Sequence, residues 1–254
     1  MMRSVVRGLA GASLIFGASA MTSQPIESPP RTETVVFAGG CFWGVQSVFQ
    51  HVKGVISATS GYAGGTLDKP GYEDVSTGRT GHAESVRVVF DPSKVSFADL
   101  MRVFFSVVHD PTQLNRQGPD VGTQYRSAIF YLTDTQRDMA EAYIAQLKMS
   151  HLYAKPIVTQ VQKLKAFYRA EDYHQNYAEL HPDQPYIAIN DLPKIANLKK
   201  AFPFVVRFVL IKSAPVRIVD SAHGVQGPSS SADLSRTKPS WLVGQDNVTA
   251  STEQ

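Results

Sequence analysis

The chain has 254 residues, enough for one sizeable core, and its 43% hydrophobic, 10% aromatic and 19% charged content is that of an ordinary globular protein. The formal charge is only +3, and two of the positive charges, Arg3 and Arg7, fall in the first ten residues. Nucleic acid therefore has no basic surface to bind, and no apolar run reaches the roughly 20 residues that a membrane-spanning helix needs.

The opening MMRSVVRGLAGASLIFGASA has a basic start, an apolar stretch over 8–16 and the small residues Ala18-Ser19-Ala20. This is the pattern of a signal peptide over 1–20, cut near Ala20, and it predicts export to the periplasm. Residues 21–31 (MTSQPIESPPR) read as a polar, proline-rich linker. One domain is expected over 32–203. It begins with a strand at 34–38, a tight turn at Gly39-Gly40 and a helix over 41–51, in which Val45, Val48, Phe49 and Val52 recur at helical spacing and Gly54 is the stop. A second strand covers 55–62, followed by the glycine-rich loop GYAGGTLDKPGYEDVSTGRTG. The strand at 83–90 ends at Asp91-Pro92, and Ser96 caps a helix over 97–108 with Asp99 in its first turn. After a second long loop, HDPTQLNRQGPDVGTQ, come a strand at 125–132, a helix at 134–149, a strand at 157–163 and a short helix at 170–180 ended by His181-Pro182. Loops of that length inside a compact domain are commonly functional. The order strand-helix-strand-strand-helix-strand predicts an α+β fold, a mixed sheet with helices packed on it in a ferredoxin-like split βαβ arrangement. The run FVVRFVLI after Pro203 suits one further strand, and the rest of the tail over 204–254 is serine- and glycine-rich and reads as mostly disordered.

Cys41 is the only cysteine. Exported proteins generally use cysteines in pairs, so a single one is either a small buried hydrophobe or a thiol kept for reactivity. At the first turn of a helix it meets free backbone N–H groups, which favour thiolate. The adjacent rings Phe42 and Trp43 cannot both face the core from a helix start, so at least one should line a small apolar pocket. In the strand AESVRVVF, Glu84 shares a face with Val86, Val88 and Phe90. It is either a solvated strand-end carboxylate or a desolvated acid that stays protonated near neutral pH, as a general acid must. Tyr62 and Tyr125 are either packing residues or uncharged donors to a developing oxyanion. Asp120, in the second long loop, is by default a turn residue. The seven histidines are scattered, with no i, i+4 pair, and one thiolate cannot build a zinc site, so no metal and no bound cofactor are expected.

The stretches GGCFWGVQ, SGYAGG, GYEDVSTGRTGHAE, HDPTQLNRQGPDVGTQYRSAIF, AEDYHQNY and HPDQPYI run in this order over about residues 35–203. Together they resemble the A-type peptide methionine sulfoxide reductases (MsrA), which act on the S epimer at sulfur. The resemblance implies that Cys41 is the nucleophile and that Phe42 and Trp43 hold the substrate S-methyl group. It implies further that Glu84 protonates the sulfoxide oxygen with Tyr62 and Tyr125 bonded to it, and that Asp120 and His174 seat the substrate backbone. The substrate would be free methionine sulfoxide or oxidised protein, and the enzyme a monomer. Many members carry a second cysteine that closes a disulfide on the first. Here Ser76-Thr77 stand where some have Cys-Ser, so the resemblance implies an external thiol reductant of the thioredoxin, glutaredoxin or glutathione type. Two other readings of the residues stay open: a cysteine hydrolase or acyltransferase pairing Cys41 with His174, and an exported binding domain with an inert cysteine.

Overall fold

The structure, a computed structural model, describes residues 32–207. The expected signal peptide, its linker and the tail beyond Arg207 lie outside the described residues. In β1 (Glu33–Ala38), Val35 and Phe37 point to one face of the sheet and Val36 and Ala38 to the other, and both faces are buried. Gly40, at φ +93°, makes the turn into α1 (Phe42–Gln50), an excursion that side-chain-bearing residues rarely adopt. β2 (Val55–Ala63), the short α2 (Tyr72–Ser76) and β3 (Ala83–Phe90) follow. α3 (Phe97–Val103) starts where Ser96 Oγ accepts the Asp99 amide at 3.1 Å, and it runs on into a π-helical turn, Phe104–Val108. Then come β4 (Arg116–Gln117) and β5 (Asp120–Val121), a two-stranded ribbon, a 3-10 turn at Thr123–Tyr125, β6 (Ala128–Tyr131) and α4 (Asp134–Met149). β7 (Gln160–Lys163), β8 (Phe167–Arg169), a 3-10 turn at Asp172–His174, α5 (Tyr177–Leu180), α6 (Pro185–Asn190) and α7 (Leu192–Ala201) complete the order.

The six-stranded sheet runs β7-β6-β1-β3-β2-β8. Its central four, β6-β1-β3-β2, are antiparallel to their neighbours, which is the split βαβ arrangement expected, and β7 joins parallel to β6, making the sheet mixed. The main core lies on the face that α1 and α3 cover. There Phe37 stacks on Phe49 with centroids 4.9 Å apart and meets Phe104 at 4.8 Å. Among the described residues no helix is long and apolar enough to cross a membrane.

Three expectations shift. The strand expected from 125 begins at Ala128, because Gly122 (φ +146°) and the Arg126 guanidinium, bonded to Thr123 O, Gly81 O and Gln160 Oε1, hold the preceding residues in a 3-10 turn. The helix expected over 170–180 is broken at Asn176, which sits in the left-handed region at φ +58° with its amide on Gln46 Oε1. The strand expected over 157–163 is shortened to β7, while β8, α6 and α7 were not foreseen. Residues 204–207 lie along the end of α1, where Val205 O accepts the Lys53 amide and the Arg207 amide donates to His51 O.

Candidate active site

Cys41 is the residue that starts α1, and 8% of it is exposed. The ribbon of β4 and β5 presses on the turn before it: a Cβ on Gly40 would lie 2.6 Å from Gln117 Cγ. Glu84 on β3, only 3% exposed, reaches the same turn, and its Oε2 accepts the Phe42 amide at 3.0 Å. Desolvation pushes the Glu84 pKa up to about 8; the Phe42 amide opposes this, and Asp120 and Asp191 add to it. Glu84 is therefore protonated at neutral pH, with Oε1 left to carry the proton.

The Cys41 thiol is shifted in the direction opposite to expectation. Burial raises its pKa well above the ordinary value, helped by the charges of Glu84, Asp191 and Asp120, and the Trp43 amide alone pulls it down. The helix start does not make a thiolate here, because one backbone donor is outweighed by desolvation first and then by the surrounding acids. Proton retention on Glu84 removes one of those opposing charges.

Both rings after Cys41 pack among other rings. Trp43 stacks face to face on Tyr177 at 3.9 Å and meets Tyr186 edge-on at 6.1 Å, and its Nε1–H donates to His174 Nδ1 at 3.1 Å. Phe42 lies 5.8 Å from Tyr62 and 4.9 Å from His174, centroid to centroid.

Tyr62 pairs directly across from Glu84, but its hydroxyl donates to Glu171 Oε2 at 2.9 Å. Its one proton is thereby spent, and the expected donor to a bound oxyanion is not free. Burial raises the Tyr125 and Tyr72 phenols, and the nearby charges of Glu84 and Cys41 raise both further. Among the described residues neither hydroxyl has a protein hydrogen-bond partner. Two ties between the long loops hold the Tyr72 and Tyr125 segments together: Thr123 Oγ1 donates to Gly78 O at 2.7 Å and Gln124 Nε2 to Ser76 O at 3.2 Å.

Asp120 is no plain turn residue. It is half-buried on β5, and its Oδ2 accepts the Tyr186 hydroxyl at 2.5 Å. His174 is 2% exposed beneath the rings, with Nδ1 taken by Trp43 and Nε2 3.9 Å from Glu171 Oε2. It neither faces out to seat a substrate backbone nor offers a nitrogen to Cys41, so the cysteine–histidine pair of a hydrolase is not formed. Burial holds its pKa down at about 4, leaving the ring neutral.

Sequence reasoning passed over Tyr72, Tyr177, Tyr186, Glu171 and Asp191. Tyr72 lies inside the GYEDVSTGRTGHAE stretch, and its glycine-flanked position before an acidic pair was the available signal. Asp191 is 1% exposed, gives Oδ1 to Lys194 Nζ at 3.0 Å, and lies so close to α1 that a Cβ on Gly44 would collide with it. Among the described residues no cluster of His, Cys, Asp or Glu could hold a metal ion. The arrangement is a buried thiol beside a neutral carboxylic acid and two free phenols, all walled by aromatic rings.

Residues 33–203 match the family model described as peptide methionine sulfoxide reductase. A protein of Mesorhizobium japonicum named peptide methionine sulfoxide reductase MsrA 2 is 56% identical over 197 residues, covering 78% of this chain and 98% of the relative. One of the same name from Synechocystis sp. is 49% identical over 179 residues, 70% of this chain and 84% of its own. Among solved structures, reduced Mxr1 from Saccharomyces cerevisiae superposes with a TM-score of 0.57 at 31% identity, over 62% of this chain and 90% of that one. Methionine sulfoxide reductase A of Corynebacterium diphtheriae gives 0.53 at 38% identity, over 61% and 77%.

Proposed function

The chain belongs to the peptide methionine sulfoxide reductase family, and on that premise we propose that it reduces the S epimer of methionine sulfoxide, free or in oxidised proteins, by attack of Cys41 on sulfur. The observation that carries this reading is the buried Glu84 carboxyl bonded to the amide next to the nucleophile, where desolvation raises its pKa to about 8. A sulfoxide has a polar S–O bond beside a small methyl group, so its site needs an apolar cage with donors on one side. Phe42 and Trp43 form the cage, and Asp120, held by Tyr186, faces the substrate backbone. Glu84 gives its proton to the sulfoxide oxygen, and Tyr72 and Tyr125 hydrogen-bond it, with Tyr72 taking the place expected of Tyr62. The Cys41 sulfur bonds to the substrate sulfur, the oxygen passes to Cys41 as a sulfenic acid, and methionine leaves. The balance is one thiol and one sulfoxide in, one sulfenic acid and one thioether out.

With a single cysteine, no disulfide can form within the chain. An external thiol condenses with the sulfenic acid, releasing water and leaving a mixed disulfide, and a second thiol returns Cys41 to its reduced form. Without added thiol, each chain should release one methionine from the S epimer and none from the R epimer. Release from both epimers, or of many methionines per chain, would refute this scheme.

Residues 1–20 direct export to the periplasm, residues 21–31 are a linker, residues 32–203 are the catalytic domain, and residues 204–254 are a tail. Terminal sequencing of protein from the periplasmic fraction should then start near Met21, and an intact Met1 on all of it would remove the export reading.

A further inference from the structure

Glu171 lies just after β8, and its two carboxylate oxygens reach three elements of the pocket. Oε1 accepts the Tyr72 amide at 2.8 Å, at the start of α2. Oε2 accepts the Tyr62 hydroxyl of β2 at 2.9 Å and faces His174 Nε2 at 3.9 Å. The third reach continues into α1. Because His174 Nδ1 accepts the indole N–H of Trp43, a neutral ring must carry its own proton on Nε2. That Nε2 is buried without a hydrogen-bond partner, and the carboxylate of Glu171 lies on its side. Burial alone would push the Glu171 carboxyl up, but hydrogen bonds from its own backbone, Tyr72 and Tyr62 outweigh it, and the group stays ionised.

We propose that Glu171 is a positioning residue that sets the selectivity of the pocket for a methyl group, by fixing the Trp43 indole through His174 and the Tyr72 phenol through its backbone. An indole held by one bonded nitrogen and one stacked ring, that of Tyr177, cannot retreat to admit a larger alkyl group. Glutamine at 171 has one acceptor oxygen where the two carboxylate oxygens take the Tyr72 amide and the Tyr62 hydroxyl, so one of those ties is lost, and it removes the negative charge that lies beside the His174 Nε2–H.

The proposal deepens the reductase reading and rests on it, so its test includes a readout that needs no turnover. Trp241→Phe leaves Trp43 as the sole tryptophan. In that background Glu171→Gln should shift the Trp43 emission to the red and lower kcat/KM for the methyl sulfoxide about tenfold. The ratio of kcat/KM for the methyl sulfoxide to that for its ethyl homologue should fall with it. His174→Asn keeps an acceptor for the indole but cannot reach Glu171, so it should lose the same selectivity, and the double variant should be no worse than Glu171→Gln alone. Unchanged emission and an unchanged methyl-to-ethyl ratio in Glu171→Gln, or simple additivity in the double variant, would overturn the proposal. If Glu171→Gln does not fold, His174→Asn decides alone, with parental selectivity counting against. A parent that leaves methionine sulfoxide unreduced would sink the reductase reading instead, whatever the emission shows.

Discussion

Glu84→Gln is expected to slow the single-turnover release of methionine by about 10²–10⁴-fold, the usual worth of a placed proton donor, while substrate affinity changes little. Glutamine keeps the shape and can still accept the Phe42 amide, so the loss isolates the proton. The pH dependence makes the assignment sharper. Glu84 is an acid only below its pKa of about 8, whereas the buried Cys41 thiol becomes nucleophilic only as pH rises. The wild-type rate should therefore climb with pH up to about 8 and then level off, because each further gain in thiolate is cancelled by loss of the Glu84 proton, whereas Glu84→Gln should go on climbing through 8. The same shift has a stability consequence. The folded-state pKa lies above the ordinary 4.5, so the stabilisation from keeping Glu84 neutral is complete below about 4.5 and is lost as pH rises through about 8. Glu84→Gln should melt higher than wild type at pH 9 and lose that advantage at pH 4.5. In the same kinetic series Tyr72→Phe should cost more than Tyr62→Phe, since only Tyr72 offers a free hydroxyl. Equal single-turnover rates in wild type and Glu84→Gln would remove the acid from the mechanism.

What could be read from the residues alone was whatever a short window encodes. The turn of Gly39-Gly40 into α1 follows from helical spacing after a glycine pair, and the buried face of Glu84 follows from alternation in AESVRVVF, because the β period of two leaves no other side for it. The order of elements was enough to reach the split βαβ sheet. The errors came from partners far along the chain. The role of Tyr62 at the sulfoxide oxygen was implied by the resemblance alone, and nothing local reveals that Glu171, 109 residues on, takes its hydroxyl. The thiol was expected to ionise because a helix start is visible in sequence, whereas the burial that prevents this is not. Asp191, one of the charges responsible, comes from the junction of α6 and α7, two short helices that each begin at or beside a proline and carry too few turns to show a period. His174 was expected within the helix over 170–180; it lies instead in a 3-10 turn ahead of the left-handed Asn176 that breaks that helix, buried against Trp43.

Cys41→Ser should abolish methionine release altogether, a larger loss than any other substitution in the site, because a hydroxyl in the same buried place is far harder to ionise and a far poorer nucleophile toward sulfur. The change removes almost no volume, so the fold should be kept, and the Trp43 emission of the variant should match that of wild type. Residual release at the rate of the uncatalysed reaction with added thiol is the expected floor. The fate of the wild-type thiol completes the argument, since Cys41 has no second cysteine to meet. After one turnover without reductant, intact-mass analysis should find one added oxygen, confined to the peptide that carries Cys41. With a thiol present in limiting amount, the same peptide should carry that thiol as a mixed disulfide instead. An oxygen found on a methionine, with Cys41 still reduced after methionine has been released, would mean that the sulfur does not take the oxygen. Turnover in Cys41→Ser beyond the uncatalysed floor would place the nucleophile elsewhere.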